Sequence, residues 1–165
     1  MFHHHISEVS AHDRFRFISA EYMMEILQRE KYFGEPHTCH ILARAVAPLL
    51  EARVVTGAVF TLYKEGDEAK LLENDHSWIE FDQGWVLDLK PVGIMSRGPI
   101  LVDAKPLGPG YLWYHRYDRW HWPKEIQTDA TRKSIHRMRR ALADVLVQKP
   151  LSKTEHTRRF HKLIS

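Results

Sequence analysis

The chain has 165 residues, of which 44% are hydrophobic and 27% charged, as in soluble globular domains rather than disordered, collagen-like or membrane-spanning chains. The net charge of +3 at pH 7 is unevenly distributed: residues 1–110 contain 11 Lys and Arg against 16 Asp and Glu, whereas residues 111–165 contain 13 against 5. No apolar run approaches the roughly 20 residues of a membrane helix, and the first residues lack a signal-peptide pattern, so we expect a cytoplasmic protein without membrane partners.

The first third of the chain has the periodicity of two helices. Apolar residues at helical spacing predict a helix over 19–30, with Ser19 as its N-cap. A second helix is predicted to begin at Thr38. Its wide apolar face over residues 41–50 indicates a buried, central helix, and Pro48 is expected to shorten its C-terminal end.

Strand patterns follow the second helix. β-Branched and apolar residues predict a strand over 54–62 with a bulge at Gly57, and residues 65–68 read as a polar turn. Alternation of side chains over 76–81 predicts another strand, and a tight hairpin turn leads from it into a returning strand over 85–89.

Two segments of different composition follow this hairpin. Residues 91–110 are rich in Pro and Gly and are predicted to form loops, with a short strand at 100–102. Residues 111–122 contain six Tyr and Trp side chains. This aromatic segment either lines a substrate cleft or forms a satellite core beneath the C-terminal helices, and the second reading is slightly favoured.

The C-terminal part is predicted to be helical. Thr128 or Asp129 is positioned to cap a long helix that reaches about Gln148, because an apolar stripe at helical spacing runs between these points. A short last helix is predicted over 154–163.

The succession of helices, antiparallel strands and helices predicts an α+β fold. No repeat or linker divides the sequence, so residues 1–165 are predicted to form a single domain. Its core is expected over about residues 19–103, and residues 111–165 add the aromatic segment and a basic helical extension.

The single cysteine, Cys39, excludes an intramolecular disulfide and a cysteine-rich zinc site. It follows Thr38 and therefore lies in the first turn of the predicted apolar helix. Unpaired backbone N–H groups at a helix N-terminus stabilise a thiolate, which is the nucleophilic form of cysteine. The same N–H groups are candidate donors for an oxyanion.

His76 is distinguished from the other histidines by its place in the hairpin. If the turn is centred on residues 82–84, paired residues have numbers that sum to about 166, and His76 and Asp88 are near-diagonal neighbours on adjacent strands. The carboxylate of Asp88 would then orient the imidazole of His76 toward the thiol. This arrangement predicts a Cys39, His76 and Asp88 catalytic triad.

These residues resemble the transglutaminase-like branch of the papain-like cysteine protease superfamily. The matching elements are Cys39 at the start of an apolar helix, the strand His76-Ser77-Trp78, and Asp88 on the following strand. The resemblance covers about residues 30–92 and implies a papain-like core, with the nucleophile's helix packed on an antiparallel sheet. It further implies thioester chemistry, in which an amide or peptide is hydrolysed, deamidated or transamidated without a cofactor.

The chain departs from the family pattern near the nucleophile. His40 follows Cys39 where an aromatic residue is frequent, and Phe33 occupies the position six residues before the cysteine where the wider superfamily often has an oxyanion-donating glutamine. The backbone N–H of Cys39 is one remaining candidate donor. The candidate side chains are His37, Tyr32 and Gln28.

Several residues have a structural and a functional interpretation. Trp78 either packs in the core, which is favoured, or contacts substrate beside His76. The spacing of His37, Cys39 and His40 is too tight for the usual zinc clip, so no metal is expected.

Two other function classes stay open. One is an inactive transglutaminase-like fold that acts as a binding or inhibitor protein, including a phage-encoded one. The other uses the basic C-terminal helix to bind nucleic acid or an acidic partner. The substrate of the enzyme is expected to be a peptide or protein, and the sequence leaves the oligomeric state open.

Overall fold

The fold is α+β, as predicted from the order of elements. The computed structural model describes residues 11–29, 39–81, 85–91, 100–103, 113–148, 152–155 and 158–159. Within these residues, helices α1 (Ala11–Arg29) and α2 (Cys39–Val46) precede the strands, and helix α3 (Asp129–Gln148) follows them. No helix in these ranges has the length and apolar character that a bilayer span requires.

The strands form one antiparallel sheet of five, in the order β4-β3-β2-β1-β5. The strands in chain order are β1 (Arg53–Glu65), β2 (Glu68–Glu80), β3 (Trp85–Asp88), β4 (Ile100–Asp103) and β5 (Trp113–Arg116). Strands β2 and β3 pair Ile79 with Leu87 and Glu80 with Val86, which confirms the register predicted for this hairpin. His76 and Asp88 are therefore diagonal neighbours.

The β1–β2 hairpin is longer than predicted. Its strands pair continuously from Arg53 and Glu80 to Glu65 and Glu68, and Gly66 has a φ of 62° in the two-residue turn, as expected for a polar turn led by glycine. The continuous register extends through Gly57, so the bulge predicted there was wrong.

Gly57 is required for a different reason. A Cβ atom at this position would lie 1.9 Å from the carbonyl oxygen of His115 and 2.7 Å from the Trp78 ring. The absent side chain lets β5 approach β1, where Gly57 pairs with Arg116. This close approach brings Tyr114, on β5, toward the middle of the sheet.

The aromatic segment was predicted without a strand, yet it supplies β5 and the short 3₁₀ turn Arg119–His121, and a second 3₁₀ turn, Lys124–Gln127, follows it. Its members have different environments: Tyr114 packs against buried residues of the sheet, whereas Trp120 is 94% exposed. The satellite-core interpretation therefore applies to part of the segment.

Helix α1 begins earlier than predicted, so Ser19 lies inside the helix and is not its N-cap. The additional turns are stabilised because Phe17 and Ile18 are buried in the core. Helix α2 ends at Val46, and Pro48 is the second residue of the 3₁₀ turn Ala47–Leu50, as expected from its missing N–H.

Helix α3 agrees with its predicted bounds. The hydroxyl of Thr128 accepts a hydrogen bond from the Thr131 N–H at 3.2 Å, which is an N-cap interaction. Its apolar stripe joins the main hydrophobic core, although the sequence suggested an extension. The α3 residues buried there are Met138, Leu142 and Val145. The predicted last helix lies only partly within the described residues, where 153–155 and 158–159 are helical.

Candidate active site

Three side chains predicted from the sequence meet where helix α2 begins beside the sheet. Cys39 is the first residue of α2 and is half-buried. His76 on β2 and Asp88 at the end of β3 each have 0% exposure. Burial of two ionisable groups is costly unless they are paired, so their hydrogen bonds determine what the site can do.

Among the described residues, three donors hold the carboxylate of Asp88. The Nε2 atom of His76 donates to Oδ2 at 2.8 Å, and the hydroxyl of Tyr114 donates to the same oxygen at 2.9 Å. The backbone N–H of Lys90 donates to Oδ1 at 3.0 Å. An ionised carboxylate only accepts, so the proton between His76 and Asp88 lies on Nε2, and Nδ1 is the ring nitrogen left for the thiol.

The thiol of Cys39 is close enough to His76 for the imidazole to affect its ionisation. Burial raises the pKa of Cys39, but a hydrogen bond and positive charge from His76, with a hydrogen bond from the Ser77 backbone, lower it below its ordinary value of 9.0. The contact is looser than the bond to Asp88, since buried Nδ1 has no partner within strict hydrogen-bond geometry. Loose contacts of this kind are common in free enzymes.

The pKa of the His76 imidazole is shifted in the opposite direction to that of the thiol. Burial lowers the pKa of His76, but hydrogen bonds and charges from Asp88 and Cys39 outweigh this effect and raise it from 6.5 to about 9. At neutral pH His76 is therefore an imidazolium, and its charge shifts the Cys39 thiol toward the thiolate form. Such a pair contains a nucleophile and, next to it, an acid that can protonate a leaving group.

Trp78 forms the wall beneath the imidazole. Its ring is stacked on His76 with a centroid distance of 6.4 Å and meets the Tyr114 ring edge-on at 5.1 Å. The side chain is 1% exposed, and its Nε1 donates to Glu80 at 3.2 Å. This burial supports the packing interpretation of Trp78, which holds His76 in place.

A second polar group lies on the other side of the nucleophile, and we call it the Ser77 cluster. Its members are His40, Arg44, Thr56 and Ser77. Thr56 and Ser77 are each 1% exposed, and the guanidinium of Arg44 stacks on Trp122 at 5.1 Å from the ring centroid. Burial lowers the pKa of His40 to about 4, with contributions from the positive charges of Arg44 and His76.

The structure does not describe the side chains of the other candidate oxyanion donors. His37 and Tyr32 lie outside the described residues, and Gln28 belongs to α1, but only its backbone is described. In the described part of the chain, no group of three or more His, Cys, Asp and Glu side chains is arranged to hold a metal ion.

The sequence did not identify Tyr114 or the Ser77 cluster. Tyr114 is 26 residues from Asp88 and lies on a strand that the aromatic composition concealed. Alternation over Trp113–Arg116 is a weak strand signal, because aromatic residues occupy positions of both faces.

Comparison with known proteins gives no match: no protein-family model, curated protein or solved structure is similar to this chain.

Proposed function

We propose that this chain is a thiol-dependent acyl-transfer enzyme of transglutaminase-like type, with Cys39 as nucleophile, His76 as general acid and base, and Asp88 as the residue that orients His76. The observation that carries the proposal is the buried His76–Asp88 hydrogen bond of 2.8 Å beside a thiol whose pKa is lowered by that imidazole.

The residues support a two-step reaction. The sulfur of Cys39 attacks an amide carbonyl, the S–C bond forms, and the carbonyl oxygen becomes an oxyanion. The C–N bond then breaks as His76 transfers the proton on Nδ1 to the leaving amine, which produces a thioester. In the second step His76 removes a proton from water, the hydroxide adds to the thioester, and the S–C bond breaks to restore the thiolate.

The acyl acceptor can be water or an amine. Hydrolysis is the default in this proposal, because water is always present unless a site excludes it. Amine attack would follow the same steps and give a transamidated product. The start of α2 at the nucleophile, packed on an antiparallel sheet, supports a papain-like core as part of the proposal.

The test is the pH dependence of alkylation by iodoacetamide, followed by intact-protein mass spectrometry. Cys39 is the single thiol, so each adduct reports on this site. We expect rapid labelling below pH 7. In His76→Ala, labelling at pH 6 should be at least about 10-fold slower and rise only near the ordinary thiol pKa of about 8.5.

The matched control is His136→Ala, which removes an exposed histidine from α3 and should leave the profile unchanged. A wild-type profile that follows an ordinary thiol would contradict the enzyme proposal. The inactive-fold alternative, a binding or inhibitor protein, would then be preferred.

A specific surface supports nucleic-acid binding as a second candidate function. The outer side of α3 has a cavity of about 570 Å³, whose cationic lining residues are Arg132, Lys133, Arg137 and Arg140, with His136 among them. Asp144 is the one acidic residue in this lining. Binding to a fluorescent single-stranded DNA should weaken steeply with salt, since phosphate contacts release counterions. Absence of binding at low salt would rule out this candidate.

A further inference from the structure

The Ser77 cluster includes His40, the residue after the candidate nucleophile, and the direction of its hydrogen bonds can be determined. Arg44 is a donor only, and its guanidinium donates to the hydroxyls of Ser77, at 2.9 Å, and Thr56. The two hydroxyl oxygens are 2.9 Å apart, and Ser77 Oγ is 2.8 Å from Nδ1 of His40. The position of each remaining proton follows from these contacts.

Only one arrangement gives every hydroxyl proton an acceptor within the cluster. If Thr56 donates to Ser77, then Ser77 donates to Nδ1 of His40. In the reverse arrangement, His40 donates to Ser77 and Ser77 to Thr56, and the buried Thr56 hydroxyl proton has no acceptor among the described side chains. A buried donor without an acceptor is costly, so the first arrangement is favoured.

It follows that His40 is neutral and carries its single proton on Nε2. The lowered pKa of His40, about 4, is consistent with this state, because a protonated ring would have to donate from Nδ1 to Ser77, which is the reverse arrangement that leaves the Thr56 proton without an acceptor. Among the described residues, the contacts of this ring involve Nδ1 and leave the Nε2–H without a partner.

His40 is the residue directly after Cys39 in α2. Ser77 connects them, since its backbone donates to Cys39 and its hydroxyl to His40, and the charge of His76 acts on both residues. A fixed, uncharged N–H donor next to the nucleophile is suited to an oxygen that gains negative charge after attack.

We propose that His40 is a catalytic residue that donates a hydrogen bond from Nε2 to the acyl oxygen of the substrate as it becomes an oxyanion. This proposal rests on the acyl-transfer function proposed above. It assigns a side-chain oxyanion donor to a site that has no glutamine at the usual position. The hydrogen bonds of the Ser77 cluster then fix the tautomer of His40.

Two probes separate this role from simple thiol reactivity. With p-nitrophenyl acetate, the sulfur forms an S–C bond, an oxyanion develops on the carbonyl, and the C–O bond breaks as p-nitrophenolate leaves. With iodoacetamide, the S–C bond forms as iodide leaves, and no oxyanion develops. The ratio of the acylation rate to the alkylation rate therefore isolates the oxyanion donor.

Two conservative variants separate the two ring nitrogens. His40→Asn places an amide group near the position of Nδ1 and keeps the bond to Ser77, but it has no donor at the position of Nε2. His40→Gln extends one bond further and restores an N–H there. We expect the acylation-to-alkylation ratio to fall about 100-fold or more in His40→Asn, the typical effect of losing one oxyanion donor, and to recover within about 10-fold of wild type in His40→Gln.

His115→Asn, at an exposed histidine of β5, is the matched control and should keep the wild-type ratio. Thermal unfolding of each variant monitors the fold. If Cys39 is alkylated rapidly below pH 7 but the ratio is unchanged in His40→Asn, or recovers in Asn rather than Gln, this proposal is wrong and the acyl-transfer function stands. If wild-type Cys39 reacts like an ordinary thiol with both probes, both proposals are wrong.

Discussion

The hydroxyl of Tyr114 donates a hydrogen bond to Asp88, and this bond is an addition to the Cys, His and Asp triad. Burial and the neighbouring charge of Asp88 raise the pKa of Tyr114 well above its ordinary value, so its hydroxyl remains a donor at working pH. Tyr114→Phe removes one of the three donors at the carboxylate while Asp88 stays buried. We expect a loss of about 1–3 kcal/mol in the free energy of unfolding, the usual contribution of a hydrogen bond to a charged group.

The measurement is urea unfolding, together with the alkylation rate of Cys39, which should also fall as the orientation of His76 relaxes. Tyr117→Phe is the matched control, because that hydroxyl donates to Glu73 and Asp75 on an exposed part of the sheet. Equal stability losses in the two variants would argue against a special role for Tyr114.

The pKa values of His76 and His40 are expected to be shifted in opposite directions from the ordinary value of a histidine. His76 should lose its proton at about pH 9, whereas His40 should become protonated only near pH 4. Nitrogen-15 NMR of the imidazole rings measures both, with His76→Gln and His40→Gln used for assignment. A His76 signal that titrates near 6.5 would contradict the imidazolium–thiolate pair.

The sign of the linkage follows from the same values. The pKa of His76 is raised above its ordinary 6.5, so its contribution to stability is fully present below that pH and is lost as pH rises through about 9. The lowered pKa of Cys39 acts in the opposite sense: its contribution is present above the ordinary 9.0 and is lost as pH falls through the folded value.

At the residue scale, the contacts that could be predicted from the sequence are those determined by local spacing along the chain. The spacing across a tight hairpin fixed the pairing of β2 and β3, and this pairing made His76 and Asp88 neighbours. Tyr114 and Arg44 could not be predicted in the same way. Their contacts depend on how β5 and α2 pack against the sheet, which is a tertiary property without a local periodicity.

At the element scale, Gly57 determines whether β5 can pair with β1. Gly57→Ala places a Cβ in the His115 carbonyl and against the Trp78 ring, and backbone atoms cannot move aside as a flexible side chain can. We expect a loss of about 3 kcal/mol or more in the free energy of unfolding, as for a severe overpacking at a buried position.

Gly66→Ala is the comparison variant. Its φ of 62° disfavours a side chain, but no atom lies within 4 Å of the added Cβ, so we expect a loss of only about 1 kcal/mol. Urea unfolding measures both variants. Similar losses in the two variants would contradict the steric role of Gly57. An unchanged urea midpoint in Gly57→Ala would mean that this position tolerates a side chain.

The element boundaries were less predictable than the elements themselves. Helix α1 extends to Ala11, because burial of Phe17 and Ile18 stabilises helical turns that the periodicity of the sequence did not indicate. Strand β2 begins at Glu68, since its exposed half is held by pairing with β1 rather than by an apolar face. In both cases tertiary contacts extend an element beyond its local signal.

At the scale of the whole molecule, the basic C-terminal region has two sides. Apolar residues of α3 are part of the same core as those of α1 and α2, while Arg132, Lys133, Arg137 and Arg140 face outward. This exposed helical face therefore contributes to the charge imbalance between residues 1–110 and 111–165.

The chain end is connected to α1 by Arg159. Its guanidinium donates to both carboxylate oxygens of Glu25, at 2.9 and 2.8 Å, and lies 5.0 Å from the centroid of the Tyr22 ring. Lysine cannot form this two-pronged bond, so Arg159→Lys should weaken the attachment. Because Glu25 is 44% exposed, solvent screens the pair, and we expect a loss of only about 0.5–1 kcal/mol.

Urea unfolding of Arg159→Lys, Glu25→Gln and the double variant measures the coupling between the two residues. The neighbouring Arg158→Lys is the matched control, since Arg158 is 75% exposed and pairs with Glu155 within its own segment. We expect no measurable change in this control and a double variant less destabilised than the sum of the single variants, because the second substitution removes a partner already lost. Additive losses would mean that the Arg159–Glu25 contact contributes nothing to the attachment of the chain end to α1.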